Sequence, residues 1–196
     1  STSERARRVS RPTRSVDLKQ NYFELFGLVP GFGLDRAVLD ARYRDLQRLV
    51  HPDRFAGAGD QERRIAMQRA TRINEGYRVL KDALARGRYL LELRGHRFDD
   101  ERSTHQDPAF LMEQIELREE LAGVRGNADP FGALGIVLGR ITRRLEELEI
   151  ELGAALAQSE GVPASALTAI QHLQFFRKLA LEAEELEADL EDEGRV

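Results

Sequence analysis

Cysteine is absent from all 196 residues. Its absence rules out disulfides, thiolate metal ligands and a cysteine nucleophile, and it permits a reducing compartment. No apolar run approaches the ~20 residues that span a bilayer, and no N-terminal stretch has the apolar centre of a secretory signal, so neither membrane insertion nor secretion is expected. Convincing period-two alternation is missing as well, which leaves helices as the candidate elements. The four histidines, His51, His96, His105 and His172, show no ligand spacing with one another, so no metal site is expected.

What is present suffices for a folded protein. Apolar residues make up 41% of the chain, enough for a core in one large domain or two small ones. The net charge of -4 hides a division: residues 1–94 carry 20 Lys/Arg against 12 Asp/Glu, and residues 95–196 carry 10 against 22. Such asymmetry points to two surfaces for differently charged partners, or to solvated helix faces. Residues 1–19, with five arginines and four serines, lack apolar periodicity and read as a flexible basic tail.

From Asn21 the periodicity is helical. A short element, NYFELFGL, ends at Gly27. In LDRAVLDARYRDLQRLV, Leu39, Tyr43, Leu46 and Val50 share a stripe, and Pro52 stops the helix near His51 because it disfavours helical geometry before it. A third helix from about Asp60 repeats Ala66, Ala70, Ile73, Tyr77, Leu80 and Leu84, and should pack antiparallel to the second. RYLLELRG closes this module near Gly95. After a polar link, Asp107-Pro108 and Asp129-Pro130 each supply a capping carboxylate followed by proline at the first helical position. They open helices at about 108–124 and 130–158. Another begins near Pro163 and runs to about Leu190, so the expectation is an all-α chain with a three-helix C-terminal bundle.

The loop between helices two and three carries His51-Pro52-Asp53. An acid/base role would need a nucleophile or positioned water and an electrophile-stabilising group, and nothing nearby supplies them. A rigid docking loop fits better, since proline holds one shape and a rigid loop binds at lower entropic cost. Arg44 and Arg48 lie one turn apart on the polar face of helix two, roughly in line with His51, and Arg54 follows directly. They form either a cationic strip beside an anionic tip or ordinary solvated residues.

An antiparallel helix pair joined by HPD resembles a J-domain, the module through which co-chaperones stimulate ATP hydrolysis by DnaK-type chaperones. YFELFGL at 22–28, DLQRLVHPDRFA at 45–56 and above all AFLMEQIELREEL at 109–121 resemble the HscB family of J-type co-chaperones in iron-sulfur cluster assembly. The resemblance covers roughly residues 21–191 in the same domain order. There is no GF-rich linker and no cysteine-rich zinc region of the general DnaJ type.

Behind the flexible basic tail at 1–19, the resemblance implies a J-domain at 20–95, a linker at 96–107 and a scaffold-binding three-helix domain at 108–193. It implies chaperone contacts at Arg44, Arg48, His51, Pro52, Asp53 and Arg54. Binding of an IscU-type scaffold would use Leu111, Met112, Ile115, Glu116 and Glu119, with Phe175 from the last helix. The implied partners are an HscA/DnaK-type chaperone ATPase and that scaffold. No catalytic residue, resident cofactor, nucleic acid or membrane is implied, and the bacterial cytoplasm is expected ahead of a mitochondrial matrix. Two positions depart from relatives: Asp40 stands where many general J-domains have a cation, and Gly123 where some relatives have an acid.

The residues of the first bundle helix bear on the patch independently. Phe110, Leu117, Leu121 and Val124 form one apolar stripe, while Leu111 and Ile115 lie roughly 100 to 140 degrees round the wheel. Two stripes need two neighbours, which are either both internal or one of them a partner. Phe175 and Phe176 point about 100 degrees apart, so one can fill the core while the other stays available. Lacking thiolates, the chain is poorly equipped to hold a cluster itself, because clusters normally take cysteine ligands. Two alternatives stay open: a J-protein with a different client, and a basic helical nucleic-acid-binding protein.

Overall fold

A computed structural model describes residues 17, 19–98, 107–158 and 160–193. The expected basic tail and polar link therefore lie largely outside the described residues. Among the described residues every regular element is helical, and no helix is long and apolar enough to cross a membrane. The chain divides into two compact units between Leu93 and Arg94.

In the first unit, α1 (Tyr22–Leu25) is only one turn long, so its ends must be capped to persist. Asn21 and Glu24 do this reciprocally: the Glu24 backbone N–H donates to the Asn21 side chain, and the Asn21 N–H donates to the Glu24 carboxylate, both at 3.0 Å. Gly27, at φ 64, turns the chain away through a conformation that costs glycine little. This short element buries Phe23, Leu25 and Phe26.

Helix α2 (Arg36–Val50) starts at Asp35, whose carboxylate accepts from the N–H groups of Ala37 and Val38. It buries Leu39, Leu46 and Val50 from the expected stripe, with Tyr43 half-buried at its edge. Helix α3 (Asp60–Lys81) runs antiparallel to it. Tyr77 donates to Asp40 at 2.9 Å and Tyr43 donates to Asn74 at 2.9 Å, so numbers rise along one helix as they fall along the other.

The expected third helix runs on through Leu84, but the structure breaks it at Asp82, which is extended at φ -91 and ψ 126. Leu84 belongs instead to α4 (Ala83–Leu93). The break is held from both sides: the Asp82 carboxylate accepts from the Ala85 N–H at 2.7 Å, and Arg86 donates to the carbonyl of Leu80 at 2.7 Å. Groups orphaned at one helix end thereby find side-chain partners. Ile73, Leu80 and Leu91 are fully buried.

In the second unit, α5 (Pro108–Gly123) and α6 (Pro130–Gln158) start at the expected aspartate-proline pairs. Asp107 accepts from Ala109 at 3.0 Å, and Asp129 from Gly132 at 2.9 Å. A short 3-10 turn, Val124–Gly126, follows α5, and α7 (Ala164–Glu193) completes the unit. Glu120 pairs with Arg140 across α5 and α6, while Arg118 of α5 and Arg125 of the 3-10 turn reach Glu182 and Asp189 of α7. Helix α5 is thus antiparallel to α6 and parallel to α7. Ile141, Leu148, Leu152, Leu173 and Phe176 fill the core between α6 and α7, and Leu117 joins from α5.

Gly76 explains how α1 seats so closely on α3. A Cβ at this position would come within 2.8 Å of the Tyr22 ring and 3.0 Å of Phe26. Alanine is the better helix former, but overpacking two rings costs more than that gain. We expect Gly76→Ala to destabilise the chain by about 1–2 kcal/mol in urea unfolding. An unchanged or raised midpoint would contradict this packing.

Candidate functional site: a capped bend and an exposed apolar strip

Helix α2 ends because His51 precedes proline. Its backbone sits at φ -59 and ψ 134, extended rather than helical. Pro52 then opens a single 3-10 turn, Pro52–Phe55, in which the Arg54 N–H donates to the His51 carbonyl at 3.0 Å. The Asp53 N–H points back at His51 Nδ1, 3.3 Å away. With its own N–H engaged in the bend, Asp53 projects a carboxylate that is 91% exposed.

Arg44, Arg48 and Arg54 are exposed, as are His51 and Pro52. All six expected contact residues therefore lie at the surface of one helix end and its turn. Arg54 donates to the Arg48 carbonyl at 3.3 Å, which ties the turn to the last turn of α2. Arg48 is also 3.2 Å from Asp45, so the cationic strip is partly offset by a neighbouring acid.

Asp40 has a structural role that the sequence did not reveal. It accepts from Arg36 at 2.8 Å and from the Tyr77 hydroxyl at 2.9 Å. The Arg36 hydrogen bond holds its carboxyl below the usual range against an opposing effect of partial desolvation. Tyr43 and Tyr77 stack beside it with ring centroids 4.1 Å apart. Sequence spacing showed only a missing cation, because the partner tyrosine is 37 residues away.

The second unit carries a different surface. On α5, Leu117 and Leu121 are buried, whereas Leu111, Met112 and Ile115 are 39%, 56% and 42% exposed. Of the two stripes, one is internal and the other faces solvent. Glu116 and Glu119 are exposed beside it. From α7, Phe176 fills the core at 1% exposure and Phe175 is half-buried, so the neighbouring rings divide as the wheel suggests.

Phe175 meets α5 edge-on at Phe110, with centroids 5.6 Å apart, and lies under the Arg118 guanidinium at 5.5 Å. Arg118 is thus a member of this surface that the sequence reading did not single out. Its signal is the parallel register of α5 and α7, which periodicity within either helix cannot give.

An HPD-tipped helical hairpin and a separate three-helix unit define a two-domain protein of the J-type helical class. Residues 106–184 match the family model described as the HSCB C-terminal oligomerisation domain. The Co-chaperone protein HscB homolog of Vibrio cholerae strain M66-2 is 45% identical over 170 residues, covering 87% of this chain and 98% of the relative. A Burkholderia multivorans homolog is 46% identical over 170 residues, covering 85% and 94%. The solved structure of chaperone HscB from Vibrio cholerae superposes with a TM-score of 0.79 at 43% identity, covering 87% of this chain and 99% of that one. Human co-chaperone protein HscB gives 0.80 at 27% identity, covering 87% and 84%. The chain belongs to the HscB co-chaperone family.

His172 lies under the same surface. Its ring stacks on Phe110 with centroids 3.5 Å apart. Burial, reinforced by the Arg144 charge and opposed by Glu151 and Asp107, pulls its pKa below the ordinary 6.5. The unfolded chain then binds a proton more readily than the folded one, so stability falls as pH drops through 6.5 toward the lowered folded value. We expect urea unfolding to show that loss between neutral pH and mildly acidic pH, and His172→Gln to flatten it. An equal slope in both proteins would contradict the neutral stacked ring.

Proposed function

We propose that the chain is a tethering co-chaperone: it delivers an IscU-type iron-sulfur scaffold to an HscA/DnaK-type chaperone and stimulates that chaperone's ATPase, aiding cluster transfer. The J-type unit does the docking. Asp53 supplies the anionic tip, Pro52 and His51 hold its approach, and Arg44, Arg48 and Arg54 meet acidic surface on the ATPase. Hydrolysis takes place on the partner, and no active site is assigned to this chain. The same reading makes it a cytoplasmic protein, in keeping with its bacterial relatives.

The observation that carries the delivery half is the exposed strip Leu111, Met112 and Ile115 on a helix whose opposite stripe is already buried. An apolar centre with an acidic rim, Glu116 and Glu119, suits a protein partner. Met112 adds an adaptable contact, and Phe175 supplies an aromatic edge. Holding both partners on one chain raises their effective concentration without any new contact between them.

Two variants separate the halves. Changing His51, Pro52 and Asp53 together to alanine should abolish ATPase stimulation while scaffold affinity stays unchanged. Changing Leu111, Ile115 and Phe175 together to alanine should weaken scaffold binding by roughly tenfold or more, with stimulation of the chaperone alone intact. Full stimulation by the first variant would refute the docking loop. Unchanged scaffold affinity in the second would reassign the strip to another client.

A further inference from the structure

The exposed strip on α5 does not end at Ile115. Leu111, Ile115, Arg118 and Ala122 follow one another at spacings of four, three and four, so they form one row along the side of the helix nearest α7. The opposing row on α7 is Phe175, Glu182 and Leu186, seven and then four residues apart. Between the two rows, beyond Phe175, lies an open cleft of about 310 Å³ lined by Arg118, Leu121, Ala122, Arg125, Glu182 and Leu186.

The cleft is open because alanine stands at 122. The row before it carries two large apolar side chains and an arginine, whereas one methyl group cannot cover Leu186, which stays half-buried. Leu121 is buried beneath. An apolar floor that begins where an apolar strip leaves off extends the same contact surface.

The charges around the cleft are unevenly satisfied. Arg125 closes the far end, 2.6 Å from Asp189 and paired with Glu193 as well. At the near end Arg118 pairs, among the described residues, with Glu182 alone, at 4.0 Å, and its side chain is 51% exposed. Its guanidinium is nevertheless positioned over the Phe175 ring, 5.5 Å from the centroid. A planar cation placed over an aromatic face keeps its edge donors for an incoming carboxylate.

We propose that this cleft is a second anchor of the scaffold site: it takes an apolar side chain of the scaffold onto Leu121 and Leu186, beside a scaffold carboxylate that binds Arg118. The inference rests on assigning the Leu111, Met112 and Ile115 strip to the scaffold. It makes the recognition two-signed. Glu116 and Glu119, exposed beside the strip, suit basic residues of the partner, and Arg118 on the α7 side demands an acidic one. An apolar strip by itself accepts many apolar surfaces, whereas an arginine fork left unfilled in the contact penalises a partner without a carboxylate there. Arg118 is thereby the residue that sets specificity.

Because the chain has no cysteine of its own, single cysteines report their own surroundings. Chains carrying Met112→Cys, Ala122→Cys or, at an exposed position of α6, Ile136→Cys are pulsed with a maleimide, with and without a saturating IscU-type scaffold. The label is read from the mass of this chain. Labelling should slow by about tenfold or more at 112 and at 122, and stay unchanged at 136, if both anchors are covered. Slowing at 112 without slowing at 122 overturns the cleft and leaves the strip standing; slowing at neither overturns both.

Arg118→Gln should weaken scaffold affinity by roughly tenfold and flatten its dependence on salt. Arg118→Lys, which keeps the charge and loses the fork, should fall between the two. Wild-type affinity and wild-type salt dependence in Arg118→Gln would overturn the carboxylate contact.

Discussion

A pyrrolidine ring closed on its own backbone nitrogen decides where α2 stops, and the shape of the turn that presents Asp53 depends on that decision. Pro52 drives His51 out of helical geometry, and the chain leaves the α2 axis at a fixed angle. The bend is then secured by backbone groups: the His51 carbonyl takes the Arg54 N–H, and the Arg48 carbonyl takes the Arg54 guanidinium. Asp53 has no comparable partner on its carboxylate beyond the His51 ring at 3.5 Å, so its charge faces water. A charged side chain presented on an already ordered turn loses less entropy on docking than one on a mobile loop.

The same imino acid does different work in the second unit. At Pro108 and Pro130 it marks beginnings, because a helix does not need the first N–H groups that proline lacks. Paired with Asp107 and Asp129, it sets the start of two helices that must lie in register for Leu117 to reach the core beside Phe176. Once that stripe is buried, geometry leaves Leu111, Met112 and Ile115 outside. The exposed strip is thus a consequence of how α5 is anchored through its buried stripe.

Much of this was legible in the sequence because proline, capping carboxylates and apolar spacing are local signals. HPD, both aspartate-proline starts, and the division of Phe175 from Phe176 needed only a few neighbouring residues. The break at Asp82 was not legible, since Leu84 continues the spacing of Ile73, Tyr77 and Leu80 as if the helix ran on. What interrupts it is a capping pair, Asp82 and Arg86, whose effect outweighs periodicity. Asp40, Gly76 and Arg118 escaped for another reason. Each takes its meaning from a residue on a different helix, Tyr77, Tyr22 and Phe175 in turn, and one sequence records no such distance.

The proposed tethering gives two surfaces of different chemistry on one chain a joint purpose only when both are occupied together. The direct measurement is the ATPase rate of the chaperone with this chain alone, with the scaffold alone, and with both. Coupling by tethering predicts a rate with both that exceeds the sum of the separate effects, reached at lower concentrations of each. A merely additive rate across the whole titration would contradict it.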